Sequence, residues 1–131
     1  MIELCIKTNQ REEMIDITGM IQKALQERKA INGVCCIFVP HTTCGITVNE
    51  HADPDVIHDI ADVLNKLVPP KENYRHIEGN SPAHVKTSLV GNSLTLMFSE
   101  GRLCLGTWQG VFLCEFDGPR QRRVWLKIIP T

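Results

Sequence analysis

The sequence predicts an α+β fold, an antiparallel β-sandwich of about seven strands with two or three packed helices. Three features predict it. Short strand-like runs recur with turn residues between them, helical patterns fall only between the earlier strands, and nothing after Ser93 has a helical period. Parallel neighbours need long crossovers, so the last third reads as antiparallel, which argues against a doubly wound sheet. The 131 residues fit one domain, 1–131, able to bury about two-thirds of the unfolded surface.

The first strand is Met1 to Thr8, where Ile2, Leu4 and Ile6 alternate with polar neighbours. Asn9 to Glu13 turns, and Met14 to Ile17 is a short second strand. Asp16 or Thr18 can cap the helix that follows to about Ala30, with Ile17, Ile21, Ala24 and Leu25 at helical spacing. Asn32 and Gly33 end it. Val34 to Val39 is apolar throughout, the pattern of a central strand covered on both faces. Pro40 closes it, and Thr43 to Asn49 alternates as a strand expected to pair with it across the short link. Asp53 then Pro54 starts a helix with a capping carboxylate and a proline at the first turn. That helix is expected to bury Val56, Ile57, Ile60, Ala61, Val63, Leu64 and Leu67 before Pro69 and Pro70 stop it. Lys71 to Asn80 is an aperiodic loop. Ser81 caps a short helix with Pro82 at its first position and Gly91 at its C-terminal end. Strands at Ser93 to Phe98, Leu103 to Phe116 and Val124 to Ile129 complete the chain, with Asp117, Gly118 and Pro119 turning into the last.

A net charge of −1 gives no general attraction to nucleic acid or to an anionic membrane surface. Arg120, Arg122, Arg123 and Lys127 look like the outward face of the last strand. The longest apolar run is far too short to span a bilayer and no secretory leader pattern opens the chain, so a cytoplasmic protein is expected. The six cysteines lack the spacing of zinc or redox pairs and read as reduced, small core residues.

Chemistry concentrates in Val34 to Leu67, which holds His41, His51 and His58 beside Glu50, Asp53, Asp55, Asp59 and Asp62. His41 follows a buried strand, with Thr42 and Thr43 able to fix its ring. His76 lies in the long loop and His84 in the first turn of the short helix. Converged imidazoles would form an open site for a divalent metal, zinc or a similar ion. Asp59, one residue before Ile60, can point along the core boundary as an orienting acceptor or a magnesium ligand. His51 and His58 read as surface groups. In GRLCLGTWQ, Gly101 to Gln109, glycines allow close approach and Thr107 and Gln109 can bond a phosphate. The plainer reading is a bulged strand with Trp108 in the core or at a subunit interface. No phosphate-loop, serine-hydrolase or dinucleotide fingerprint is present.

HTT followed by TVNEHADPDV, then YRHIEG with NSPAHVK, and finally GRLCLGTWQGVFLCEF resemble the YjbQ-type family of small proteins, named secondary thiamine-phosphate synthases. The resemblance covers nearly the whole chain, and GTWQ is its most specific block. It implies a β-sandwich with packed helices, a homotrimer, and a site of histidines able to bind a metal. Its histidines match His41, His76 and His84, and its acidic and amide positions match Asn49, Glu50 and Asp59. Its signature strand matches Gly106, Thr107, Trp108 and Gln109, with Glu115 further along. His51 stands where the family pattern commonly has a small polar residue, and is kept out of the site. The implied reaction joins a pyrimidine pyrophosphate to a thiazole phosphate, with Glu50, Asp59 and His84 catalytic. Thr42, Asn49, Thr107 and Gln109 would bind this phosphorylated substrate, and His41, His76 and His84 would hold the divalent metal, zinc suiting the histidines and magnesium suiting Asp59 and Glu50. Two alternatives stand beside it: a metal-dependent hydrolase of a phosphorylated small molecule, and a non-catalytic trimeric metal or anion binder.

Overall fold

A computed structural model describes residues 1–131, and it builds two antiparallel sheets. The elements in order are β1 (Ile2–Lys7), β2 (Glu13–Asp16), α1 (Thr18–Glu27), β3 (Gly33–Phe38), β4 (Cys44–Glu50), α2 (Pro54–Leu67), α3 (Ser81–Val90), β5 (Ser93–Ser99), β6 (Arg102–Leu103), β7 (Gln109–Glu115) and β8 (Gln121–Pro130). The larger sheet runs β1-β8-β3-β5-β6 and the smaller β2-β7-β4. The expected sandwich is present, with eight strands where about seven were expected. The long strand over Leu103 to Phe116 divides into β6 and β7 around a turn at Thr107 and Trp108.

Alternation decides which side chains meet between the sheets. Ile6, Cys35, Ile37, Val124 and Leu126 point in from the larger sheet, and Ile46, Val111 and Leu113 from the smaller. Helix α1 closes one end, with Ile17, Ile21 and Leu25 fully buried in the same core. The outer face of the smaller sheet carries α2 and α3, where Ala83, Cys114 and Phe116 form a second, small cluster backed by Met14, Leu64 and Val90.

Four expectations change. Strands β3 and β4 do not pair: β3 lies between β8 and β5, while β4 pairs with β7, so the link through Pro40 crosses from one sheet to the other. Strand β3 is central, but only one face is covered, because its outward side, Val34, Cys36 and Phe38, faces away from the core, with Phe38 41% exposed. Helix α2 buries no residue completely. Ile57, Ala61 and Leu64 face the body across a cleft, whereas Val63 and Leu67 are 52% and 68% exposed. Arg122 points inward, because period two places it in register with Val124 and Leu126, leaving Arg123 and Lys127 outside.

Local signals fared better. Asp53 caps α2 by accepting from the Asp55 N–H at 2.9 Å, with Pro54 in the first turn. Gly91 caps α3 at φ +96°, but the N-cap of that helix is Asn80 rather than Ser81, and the Asn80 side chain makes no cap bond. Helix α1 stops at Glu27, short of Ala30, and Asp16 steadies its start by accepting from the Thr18 N–H at 3.0 Å. All six cysteines are free; Cys35, Cys44 and Cys114 are buried, while Cys5 and Cys104 are exposed and therefore not core residues. No helix is long and apolar enough to cross a membrane.

Candidate functional site

Two imidazoles from distant parts of the chain, His41 and His84, share a cleft, and a third, His76, stands against His84. His41, on the link between sheets, and His84, in the first half of α3, line one cleft of about 340 Å³ with Thr42, Thr87, Ser88, Gly91 and Asn92. No apolar side chain lines it. His76, from the loop before α3, stands edge-on to His84 with ring centroids 5.4 Å apart, and its Nε2 is 3.7 Å from the Glu78 carboxylate. An adjoining hollow of about 430 Å³ shares His41, Thr42 and Asn92 and adds Arg120 and Arg122.

Packing explains this convergence. The N–H of Ile46 donates to the Gly91 carbonyl at 3.0 Å, which fastens the C-terminal end of α3 to β4. Gly45 permits that approach, since a Cβ there would sit 2.7 Å from the Gly91 oxygen. His41 is fixed from the other side, where its Nε2 accepts the Arg123 backbone N–H at 2.9 Å. Its proton therefore sits on Nδ1. Burial, and then the Arg122 guanidinium, hold this imidazole below its ordinary 6.5, so it is neutral at physiological pH.

Beneath the site lies a buried ion pair that the sequence did not announce. Arg122 donates from Nε to Glu115 Oε1 at 2.8 Å, and from its terminal nitrogen to the Thr43 hydroxyl at 2.8 Å. Thr8 and the Asp117 N–H complete the carboxylate's partners at 2.8 and 3.0 Å. Burial alone would raise the Glu115 carboxyl, but these donors outweigh it and hold the group below 4.5. The pair positions Thr43 and the His41 link. Only the period-two register of Arg122 with Val124 and Leu126 could have signalled it.

The remaining site residues from the sequence lie elsewhere. Asn49, Glu50, Thr107 and Gln109 gather at the far end of the smaller sheet, where Glu50 and Gln109 are β-partners. From Cys44 to Glu50 the strand spans about 20 Å, so Glu50 and His84 do not share a cavity within one chain. Asp59 lines only a shallow outer surface of α2 with Val56, Ile60, Val63 and Leu64. Trp108 is 63% exposed, outside the core. His51, set aside on sequence grounds, is held instead: its Nδ1 is 3.1 Å from Asp16 Oδ2, and its ring packs against Gly110.

The fit to a metal is incomplete. No three His, Cys, Asp or Glu side chains in one chain stand close enough together to hold an ion, and the Nε2 lone pair of His41 is already used. What the cleft offers is a set of hydrogen-bonding groups, hydroxyls, an amide and two imidazoles, beside two guanidinium groups that are already ion-paired, Arg122 with Glu115 and Arg120 with Asp117. That set suits the oxygens of an anion.

Comparison with known proteins reaches almost every residue. The family model described as "UPF0047 protein YjbQ-like" matches residues 2–131. The UPF0047 protein MJ1081 of Methanocaldococcus jannaschii is 56% identical over 124 residues, 95% of this chain and 90% of that one. The UPF0047 protein YugU of Bacillus subtilis is 50% identical over 127 residues, 96% of each. A crystal structure of a YjbQ/UPF0047 family protein from Clostridium acetobutylicum superposes with a TM-score of 0.95 at 50% identity, covering 98% of this chain and all of that one. A conserved hypothetical protein from Thermus thermophilus gives 0.93 at 45% identity, over 98% of this chain and all of that one.

Proposed function

The chain belongs to the YjbQ-like UPF0047 family, and from that membership and the cleft geometry we propose that it is a thiamine-phosphate synthase-like transferase. The observation that carries the reading is the cleft itself: His41, Thr42, His84, Ser88 and Asn92 around one cavity with no apolar lining, next to Arg120 and Arg122. A pyrophosphate needs such a shell of donors.

In this reading the thiazole ring nitrogen uses its lone pair to attack the exocyclic methylene carbon of the pyrimidine pyrophosphate. A C–N bond forms, the C–O bond breaks, and pyrophosphate leaves with the electron pair. Arg120 and the hydroxyl and amide donors meet the charge that develops on the leaving oxygens, the interaction that strengthens most in the transition state. His84, paired with His76, is placed to give a proton to the departing group. His41 has its Nδ1–H free to donate. Because the side chains do not assemble a metal site in one chain, no step passes through a protein-held metal. Magnesium belongs to this reading as the counter-ion that pyrophosphate carries in.

Assembly as a homotrimer is part of the proposal. Its support is the apolar outer face of the larger sheet, where Phe38 packs on Trp125 at 6.0 Å between centroids and Met97 and Ile129 are exposed. A second reading, a hydrolase of a phosphorylated small molecule, rests on the His76 and His84 pair, which could activate a water. Incubating the protein with both substrates and magnesium tests the two. Thiamine phosphate formed in step with pyrophosphate supports the transferase. Phosphate release from either substrate alone supports the hydrolase, and saturable anion binding with no turnover leaves a binder.

A further inference from the structure

A cleft with an apolar floor opens away from the histidines. It lies between α2 and the outer face of the smaller sheet, about 480 Å³ in volume, the size of a small-molecule site. Its floor is made by Met14, Phe112 and Phe116 from the sheet side and Ile57, Ala61 and Leu64 from α2. Beyond this floor the helix is tied to the body: Lys86, itself buried, donates to Asn65 of α2 and to Glu12, the latter at 2.9 Å.

Carboxylates ring the opening. Glu12 and Glu115 are neutralised by Lys86 and Arg122, but Glu13, Asp16, Glu50 and Asp53 have no lysine or arginine within salt-bridge distance. One end is closed by His51, whose Nδ1 is 3.1 Å from Asp16 Oδ2 and whose ring lies so close to Gly110 that a Cβ there would sit 2.7 Å from Nδ1. Asp16 is fixed in turn by the Thr18 N–H and hydroxyl. The Nε2 of His51 makes no hydrogen bond within the chain, and His51 lines the cleft. The floor already accepts a positive group: Lys86 Nζ is 5.8 Å from the Phe116 ring centroid.

We propose that this cleft is a second binding site, for an organic cation with an apolar body, such as an arylalkylammonium or amidinium. The body occupies the Phe112, Ile57 and Leu64 floor, and the charged N–H groups reach Glu50, Glu13 and His51 Nε2. An anion is repelled by the unpaired carboxylates. A neutral molecule of the same shape gains the floor but leaves the carboxylates solvated and unused.

Titrating the full-length chain with benzylammonium, benzyl alcohol and benzoate, followed by amide NMR shifts, tests this directly. Benzylammonium is expected to saturate with shifts centred on Glu13, Glu50, His51 and Ile57, with benzyl alcohol about tenfold weaker or more and benzoate without effect. Glu50→Gln and Glu13→Gln, both near-isosteric, should each weaken benzylammonium about threefold to tenfold, while Thr42→Ala in the histidine cleft should leave it unchanged. The proposal is overturned if alcohol and ammonium bind equally, if the shifts map to the histidine cleft, or if neither carboxamide variant weakens binding. It is overturned as well if nothing saturates by ~10 mM, the weak end for a ligand of this size.

Discussion

Arg122 and Glu115 are joined Nε to Oε1 at 2.8 Å in the wall between the two clefts, Glu115 on the acidic side and Arg122 on the imidazole side. Their side chains are 2% and 0% exposed, so each charge depends on the other. Truncating one partner strands the other in low dielectric, and Arg122→Ala should cost about 3–5 kcal/mol by urea unfolding. Because Glu115 is held below 4.5, its contribution is complete above that value and is lost as pH falls through the folded-state value. Unfolding midpoints followed down to about pH 3 should show this acid loss in the native chain and a weaker one in Glu115→Gln. An equal slope in both would remove Glu115 from the account.

His41 gives a separate, milder pH signature. Its folded value lies below 6.5, so the unfolded chain takes up a proton first as the solution is acidified. Stability from this group is therefore present above 6.5 and declines as pH falls below it. His41→Gln keeps an acceptor for the Arg123 N–H and cannot titrate. Its unfolding free energy should be flatter than that of the native chain as the pH falls below 6.5.

Catalysis at the histidine cleft predicts a separation of activity from stability. His84→Ala should lower thiamine phosphate formation by about 10²-fold or more, with the urea midpoint close to native because the ring lies at a cleft surface. A large fall in the midpoint with unchanged specific activity of the folded fraction would make His84 structural.

Thiol chemistry should follow burial. Burial pushes the Cys44 and Cys114 thiols up to about 12 and Cys35 to about 11, so none is a thiolate near neutral pH. Cys5 and Cys104 are exposed. A native-state Ellman titration should label Cys5 and Cys104 rapidly, with Cys35, Cys44 and Cys114 reacting only after unfolding. Rapid labelling of Cys114 without denaturant would contradict the packing of the second cluster.

Gly110→Ala should be costly for a local reason. The new methyl would lie 2.7 to 2.9 Å from His51, displacing the ring from Asp16. Overpacking of this kind costs about 1–3 kcal/mol, and the double variant with His51→Ala should recover much of the loss in thermal unfolding. No recovery would show that the strain lies in the backbone.

Signals carried by one or two neighbouring residues are legible in the chain. The Asp53 and Pro54 start of α2, the Gly91 end of α3 and the alternation of β1 all depend on local hydrogen bonds and on side-chain period. The expected pairing of β3 with β4 fails because a short link does not say whether two strands share a sheet or face one another across a core. The expected burial of α2 is too deep for a similar reason: its apolar stripe is real, but Ile57, Ala61 and Leu64 meet a cleft rather than a packed surface. The placement of His51 escapes a reading of the chain because it comes from Asp16 and Gly110, each far away in sequence.

The sequence by itself determined the α+β class, the family and the histidines worth watching, because strand alternation, caps and motif blocks are local properties of the polymer. Only the tertiary structure decided that His41 and His84 share a cleft with His76 against His84, while Glu50 and Gln109 lie at the other end of β4, and that an acidic cleft opens under α2. Those relations come from which strand pairs with which and from two buried cations finding their acceptors, and such long-range choices leave no mark on the order of residues.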